Sequence, residues 1–83
     1  MIFWYVSMNK ETQALWRNKA KGILKSEIAL RNLSYADVVE KLKEIGIEET
    51  PQNFSNKITR GTFGAIFMVQ VLTAIGCEQI NFH

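Results

Sequence analysis

The sequence predicts an all-α fold, a single domain of four to five helices, and three observations point there. From Lys10 onward, apolar residues recur at helical spacing. Cap residues and glycine stops cut that pattern into short helices joined by short turns. An apolar content of 47% in 83 residues is enough for one packed core, near the lower end of what a single core supports. The helical core is expected over about 10–76, within one domain spanning 1–83, with terminal extensions at 1–9 and 77–83.

Residues 2–6, Ile-Phe-Trp-Tyr-Val, are aromatic and β-branched and favour a short strand. Residues 78–82, Glu-Gln-Ile-Asn-Phe, alternate polar and apolar and read as a second. Two such strands can pair with each other or with a second copy of the chain. Met8 offers an alternative start, so the opening residues also fit an upstream extension of the reading frame.

The first helix runs from about Lys10 to Arg31. Trp16, Ala20, Ile23, Leu24 and Ile28 form its inward stripe, and basic side chains fill much of its remaining surface. Gly22 costs ~1 kcal/mol in a helix interior, so it is expected to mark a close helix contact. Asn32 ends the helix. Ser34 then caps the second helix, with Asp37 completing a capping box. Val38, Leu42 and Ile45 turn inward, and Gly46 is the stop.

Ile47-Glu48-Glu49 forms the turn. Thr50 caps the third helix and Pro51 takes its first position, where a missing N–H costs nothing. Phe54 and Ile58, four apart, face the core, and Gly61 ends the helix. Thr62 is expected to cap a fourth helix reaching Ile75, with Gly76 as its stop. That helix is apolar on every side and asks for burial all round. In so small a domain one face is expected to meet a partner, which predicts a homodimer through residues 62–75 and the terminal strands.

Net charge is only +2, but its distribution is uneven. Residues 1–31 carry Lys10, Arg17, Lys19, Lys21, Lys25 and Arg31 against Glu11 and Glu27, a net of +4. Residues 32–49 carry five acids against Lys41 and Lys43, a net of −3. A single cysteine, Cys77, excludes an intrachain disulfide framework and a multi-cysteine zinc site. As a small residue just past a helix end, it is expected to be buried. A reduced, cytoplasmic setting is the expectation. The apolar start is short and lacks preceding basic residues and a cleavage site, so it fits neither a signal peptide nor a membrane span.

Catalysis finds little support. His83 is the sole histidine and the last residue. No metal-ligand spacing, glycine-rich phosphate loop or nucleophile–base pair is present, so no enzyme activity, cofactor, metal or small-molecule substrate is expected. Trp16, Phe54, Phe63 and Phe67, at helical spacings, are expected in the core. Trp4, Tyr5 and Phe82 are harder to bury in one small domain and suggest an interface.

The Leu33-Ser34 start, the Val38 to Leu42 spacing, the Ile58-Thr59-Arg60-Gly61 ending and the Leu72-Thr73-Ala74-Ile75-Gly76 close resemble the lambda-repressor-like (Cro/C1, XRE-type) helix-turn-helix domains. The likeness covers roughly residues 24–76. More closely, Trp16-Arg17, Leu24-Lys25, Glu27, Leu33-Ser34-Tyr35-Ala36-Asp37, Ile45-Gly46-Ile47-Glu48, Asn56 to Gly61 and Ala74-Ile75-Gly76-Cys77 resemble a small bacterial family, the DUF6471 domains of unknown function. The closer resemblance implies no activity; the broader one implies a fold and, by analogy, DNA binding. Two positions depart from the repressor pattern. The interval from Leu42 to Arg60-Gly61 is longer, and Glu27 falls where a core leucine is usual. A carboxylate there needs a partner, for which Lys57 and Arg60 are the candidates; a solvent-facing Glu27 is the alternative.

The resemblance makes the third helix, at about 50–60, the one that would lie in a major groove. Its outward positions are Gln52, Asn53, Ser55, Asn56, Lys57 and Thr59. Gln and Asn can bond adenine bidentately, Ser and Thr are permissive, and Lys reaches guanine or phosphate. Thr50 and the N–H groups of the first turn can hold a phosphate. Arg60 and, from the first helix, Arg17, Lys21 and Lys25 would clamp the backbone. The expectation is a DNA-binding transcriptional regulator. The alternative is a non-enzymatic interaction or dimerisation module that keeps the fold without binding DNA.

Overall fold

The computed structural model describes residues 10–80. Within that range the chain forms four α-helices and no strand: α1 (Lys10–Leu30), α2 (Tyr35–Glu44), α3 (Pro51–Arg60) and α4 (Ala65–Ala74). The strand expected over 2–6 lies outside the described residues. Of the one expected over 78–82, residues 78–80 are described and are irregular. No helix of the described residues is long and apolar enough to cross a membrane.

Local chemistry sets the helix ends. Ser34 Oγ accepts from the Asp37 N–H at 3.1 Å and the Asp37 carboxylate accepts from the Ser34 N–H at 2.9 Å, so the capping box of α2 is complete. The Ser34 N–H, first among its causes, holds the Asp37 carboxyl below its ordinary value. Thr50 Oγ1 accepts from the Asn53 N–H at 3.1 Å, with Pro51 entering α3 at its first position. The fourth helix departs from expectation. It starts after Gly64, which has no side chain to cap it, rather than after Thr62, and Ile75 is its C-cap.

Phe54 sits at the centre of the core, fully buried with Leu24, Leu42, Ile58, Val38 and Val71. Its ring meets Tyr35 edge-on at 5.1 Å and Phe67 tilted at 5.7 Å, which ties α3 to both the start of α2 and the start of α4. Such aromatic pairs add to the burial that holds α3 in place. α1 packs on α3 and α4, and α2 packs on the same two helices.

Three expected core contacts are absent. Trp16 is 53% exposed, because α1 is about 31 Å long against about 15 Å for each other helix, and its buried residues are Leu24 and Ile28, in its second half. Ile45 is exposed, and Val39 takes its place in the core. Among the described residues, no neighbouring atom lies within 4 Å of the position a Cβ would occupy at Gly22, so it marks no close contact between these helices. The close contact lies elsewhere. At Gly61, φ is +67° and a Cβ would fall 3.1 Å from the Arg17 carbonyl oxygen. α1 and α3 approach each other there with room for a hydrogen only.

Candidate functional site

α3 divides cleanly by face. Phe54 and Ile58 are buried, while Gln52, Asn53, Asn56, Lys57, Thr59 and Arg60 are exposed and Ser55 is half-buried. The sequence-assigned positions therefore share one helix and an outward surface, with Ser55 set back from it. Gln52 Nε2 donates to Asn56 Oδ1 at 3.4 Å, a long bond between residues one turn apart. Both amides keep free donors and acceptors.

The first turn offers less to an anion than the sequence suggests. Pro51 has no N–H, the Asn53 N–H goes to Thr50, and the Phe54 N–H goes to the Thr50 carbonyl. Of that turn, the Gln52 N–H remains for an outside acceptor, and the Thr50 hydroxyl is engaged as the cap.

Lys57 is also engaged. Its Nζ lies 2.7 Å from Glu49 Oε2 and 5.0 Å from the centre of the Phe67 ring. The Glu49 side chain is only 7% exposed, whereas that of Lys57 is 48% exposed. Glu49 thus turns inward from the α2–α3 turn and carries Lys57 toward α4, while Glu48 stays exposed. The sequence gives no direct signal for this pair, which is eight residues apart across a cap.

The α1 cations fall as a stripe, each one turn from the last: Arg17, Lys21 and Lys25. Arg17 backs onto Gly61, and Lys21 Nζ donates to the Thr59 carbonyl at 3.1 Å, near the C-terminal end of α3 where a cation is favoured. Lys25 is exposed one turn further on. Arg60 is exposed at the same end of α3. Beside it, a hollow of about 240 Å³ is lined by Lys57, Arg60, Thr62, Phe63, Gly64 and Phe67. It opens at the start of α4, where no side chain caps the free N–H groups. Placing the α4 cap at Thr62 hid these donors from the sequence reading.

The opposite end of α3 is acidic. A groove of about 320 Å³ between α2 and the α2–α3 turn is lined by residues including Asp37, Glu40 and Glu48, with Lys43 as its cation and with Glu49 already paired to Lys57. A polyanion is therefore repelled from the N-terminal, α2 side of α3 and attracted to its C-terminal, α1 and α4 side.

Glu27 finds neither partner expected from the sequence. Its Oε1 accepts from Arg31 at 2.7 Å, one turn along the same helix, and lies 3.5 Å from Cys77 Sγ. The Arg31 hydrogen bond, against the opposing effect of burial, holds the Glu27 carboxyl below its ordinary value and raises Arg31. Cys77 is half-buried rather than buried, and its Sγ also lies 3.1 Å from the Gln79 carbonyl. The described residues hold no group of three or more His, Cys, Asp or Glu placed to bind a metal.

The sequence profile of a family described as "Domain of unknown function (DUF6471)" matches residues 16–80. That span takes in all of α2, α3 and α4 and most of α1. No curated protein and no solved structure matches the chain.

Proposed function

Because the chain belongs to the DUF6471 family, whose function is unknown, we propose from its own geometry that it is a DNA-binding protein of the lambda-repressor-like helix-turn-helix kind, acting as a cytoplasmic transcriptional regulator. One observation carries the reading. α3 is anchored by Phe54 and Ile58 and presents Gln52, Asn53, Asn56 and Thr59 outward, with cations gathered at its C-terminal end. Amide side chains can read base edges; Arg60, Arg17 and Lys25 would meet the phosphates. The N–H groups at the start of α4 supply further phosphate donors. The acidic α2 side supports an approach in which the outward face of α3, from Gln52 to Thr59, meets the base edges while its C-terminal end and α1 lie nearest the phosphates.

Fluorescence anisotropy on a random duplex at low salt tests this. The expected dissociation constant is about 1–100 μM, rising with salt. Arg17→Ala with Arg60→Ala should make the salt slope shallower by about 1.8, one phosphate contact for each. Absence of binding at 100 μM (roughly the weak end of that range), or a slope indifferent to the double substitution, refutes the proposal.

A second reading has its own support. Ile66 is 77% and Val69 61% exposed on a helix without a charged residue. Trp16, Lys19, Ala20, Ile23 and Met68 line a further hollow between α1 and α4. Such apolar surface fits an interaction or homodimer module. It is compatible with DNA binding, since a dimer spans two half-sites. Sedimentation velocity over a range of concentrations separates the cases: a dimer that ignores DNA favours the interaction module alone.

A further inference from the structure

Of the cations expected to face a duplex from α3, Lys57 is the one whose charge the fold cancels. We infer that Glu49 sets the charge that α3 offers to DNA, by holding Lys57 in the α3–α4 corner; this rests on the DNA-binding reading above. The contact is built rather than incidental. An ammonium-to-carboxylate distance of 2.7 Å marks a charge-assisted hydrogen bond. The carboxylate side chain is only 7% exposed, so it has little water to replace Lys57, and the Phe67 ring at 5.0 Å gives the ammonium a second favourable neighbour. For Lys57 to swing onto a phosphate it must leave a nearly buried carboxylate unpaired, which is strongly unfavourable.

The consequence is a specific arithmetic of affinity. Each phosphate neutralised by a free cation releases counterions and steepens the salt slope by about 0.9. Lys57 is neutralised already, so it releases none. Glu49 thereby removes one unit of sequence-blind attraction from the helix that carries the base-reading amides. A larger share of the binding is left to Gln52, Asn53 and Asn56. Glu49 is in this sense a specificity-determining residue that never touches the duplex.

The test is the salt dependence of anisotropy for the full chain on the same random duplex, comparing wild type, Glu49→Gln and the double variant Glu49→Gln with Lys57→Gln. Glu49→Gln keeps the shape of the side chain and frees the ammonium. Its slope should steepen by about 0.9, an extra fall of about 3.5-fold in affinity between 50 and 200 mM salt. The double variant should return to the wild-type slope. Because that variant replaces the pair by two neutral amides, it leaves no unpaired charge and stands as the measurement should the single variant fold poorly. Two outcomes overturn the inference while leaving DNA binding intact: Glu49→Gln matching wild type, or the double variant being shallower than wild type, which would mean that Lys57 already meets phosphate. If neither wild type nor Glu49→Gln binds at any salt, this inference and the DNA reading fail together.

Discussion

Gly61→Ala probes the contact on which the arrangement of α1 against α3 depends. Two costs combine at this residue. Its φ of +67° is a left-handed conformation, and placing an L-residue there costs roughly 1–2 kcal/mol. The new Cβ would also lie 3.1 Å from the Arg17 carbonyl oxygen and 3.3 Å from the Arg17 Cβ. Backbone cannot rotate aside as a side-chain tip can, so α1 must move outward by a few tenths of an ångström, at about 1–3 kcal/mol for overpacking. Gly46→Ala is the matched control: its φ is +84°, but none of the described residues comes within 4 Å of the new methyl group. The unfolded-state entropy of losing a glycine is common to both and cancels. Gly61→Ala should therefore cost about 2–5 kcal/mol and Gly46→Ala about 1–2, against a total stability near 4–12 kcal/mol for a chain this long. Urea denaturation followed by circular dichroism measures both, and each extra kcal/mol should also lower Tm by about 4–8 °C. Equal losses in the two variants would refute the reasoning, because the helix contact would then contribute nothing.

Phe54→Ala removes the fully buried ring that joins α2, α3 and α4 and should cost about 3–5 kcal/mol, read as a strongly lowered urea midpoint. Asp37→Asn should destabilise at neutral pH and lose its effect in acid. The folded carboxyl lies below its ordinary value of 3.8, so its stabilisation is complete above that value and is lost as pH falls through the folded value. Urea midpoints of wild type and variant, taken from about pH 7 down to pH 2, should converge. Glu27→Gln should converge in the same direction, since the Arg31 hydrogen bond lowers that carboxyl below 4.5.

The helix ends were legible in the sequence because their causes are local. Ser34 with Asp37, and Thr50 with Pro51, act within one turn, so spacing alone identifies them. Gly61 was legible as a stop, but its contact with Arg17 was not, since 44 residues separate them. Thr62 carried a good capping hydroxyl, yet the N-cap of α4 is Gly64, two residues later, with Phe63 just before it against Phe67 in its first turn. Trp16 follows the periodicity of the α1 stripe faithfully; periodicity reports which face is apolar, not how far the rest of the bundle reaches. The outward face of α3 was legible except at Ser55, which is half-buried, because Phe54 and Ile58 fix the helix rotation. Its electrostatics were not. Whether Glu49 screens the helix or folds beneath it depends on the path of the turn, which neither composition nor spacing encodes.

The uneven anchoring of α1 has a consequence for how its order arises. Leu24 and Ile28 pin the second half, while Leu15 and Trp16 stand mostly in solvent. A helix of about ten residues is marginal alone in water because nucleation is costly. The leading turns therefore draw much of their helical order from the pinned half, and a helix-breaking substitution between the two halves should cost the chain more helix than its own turn.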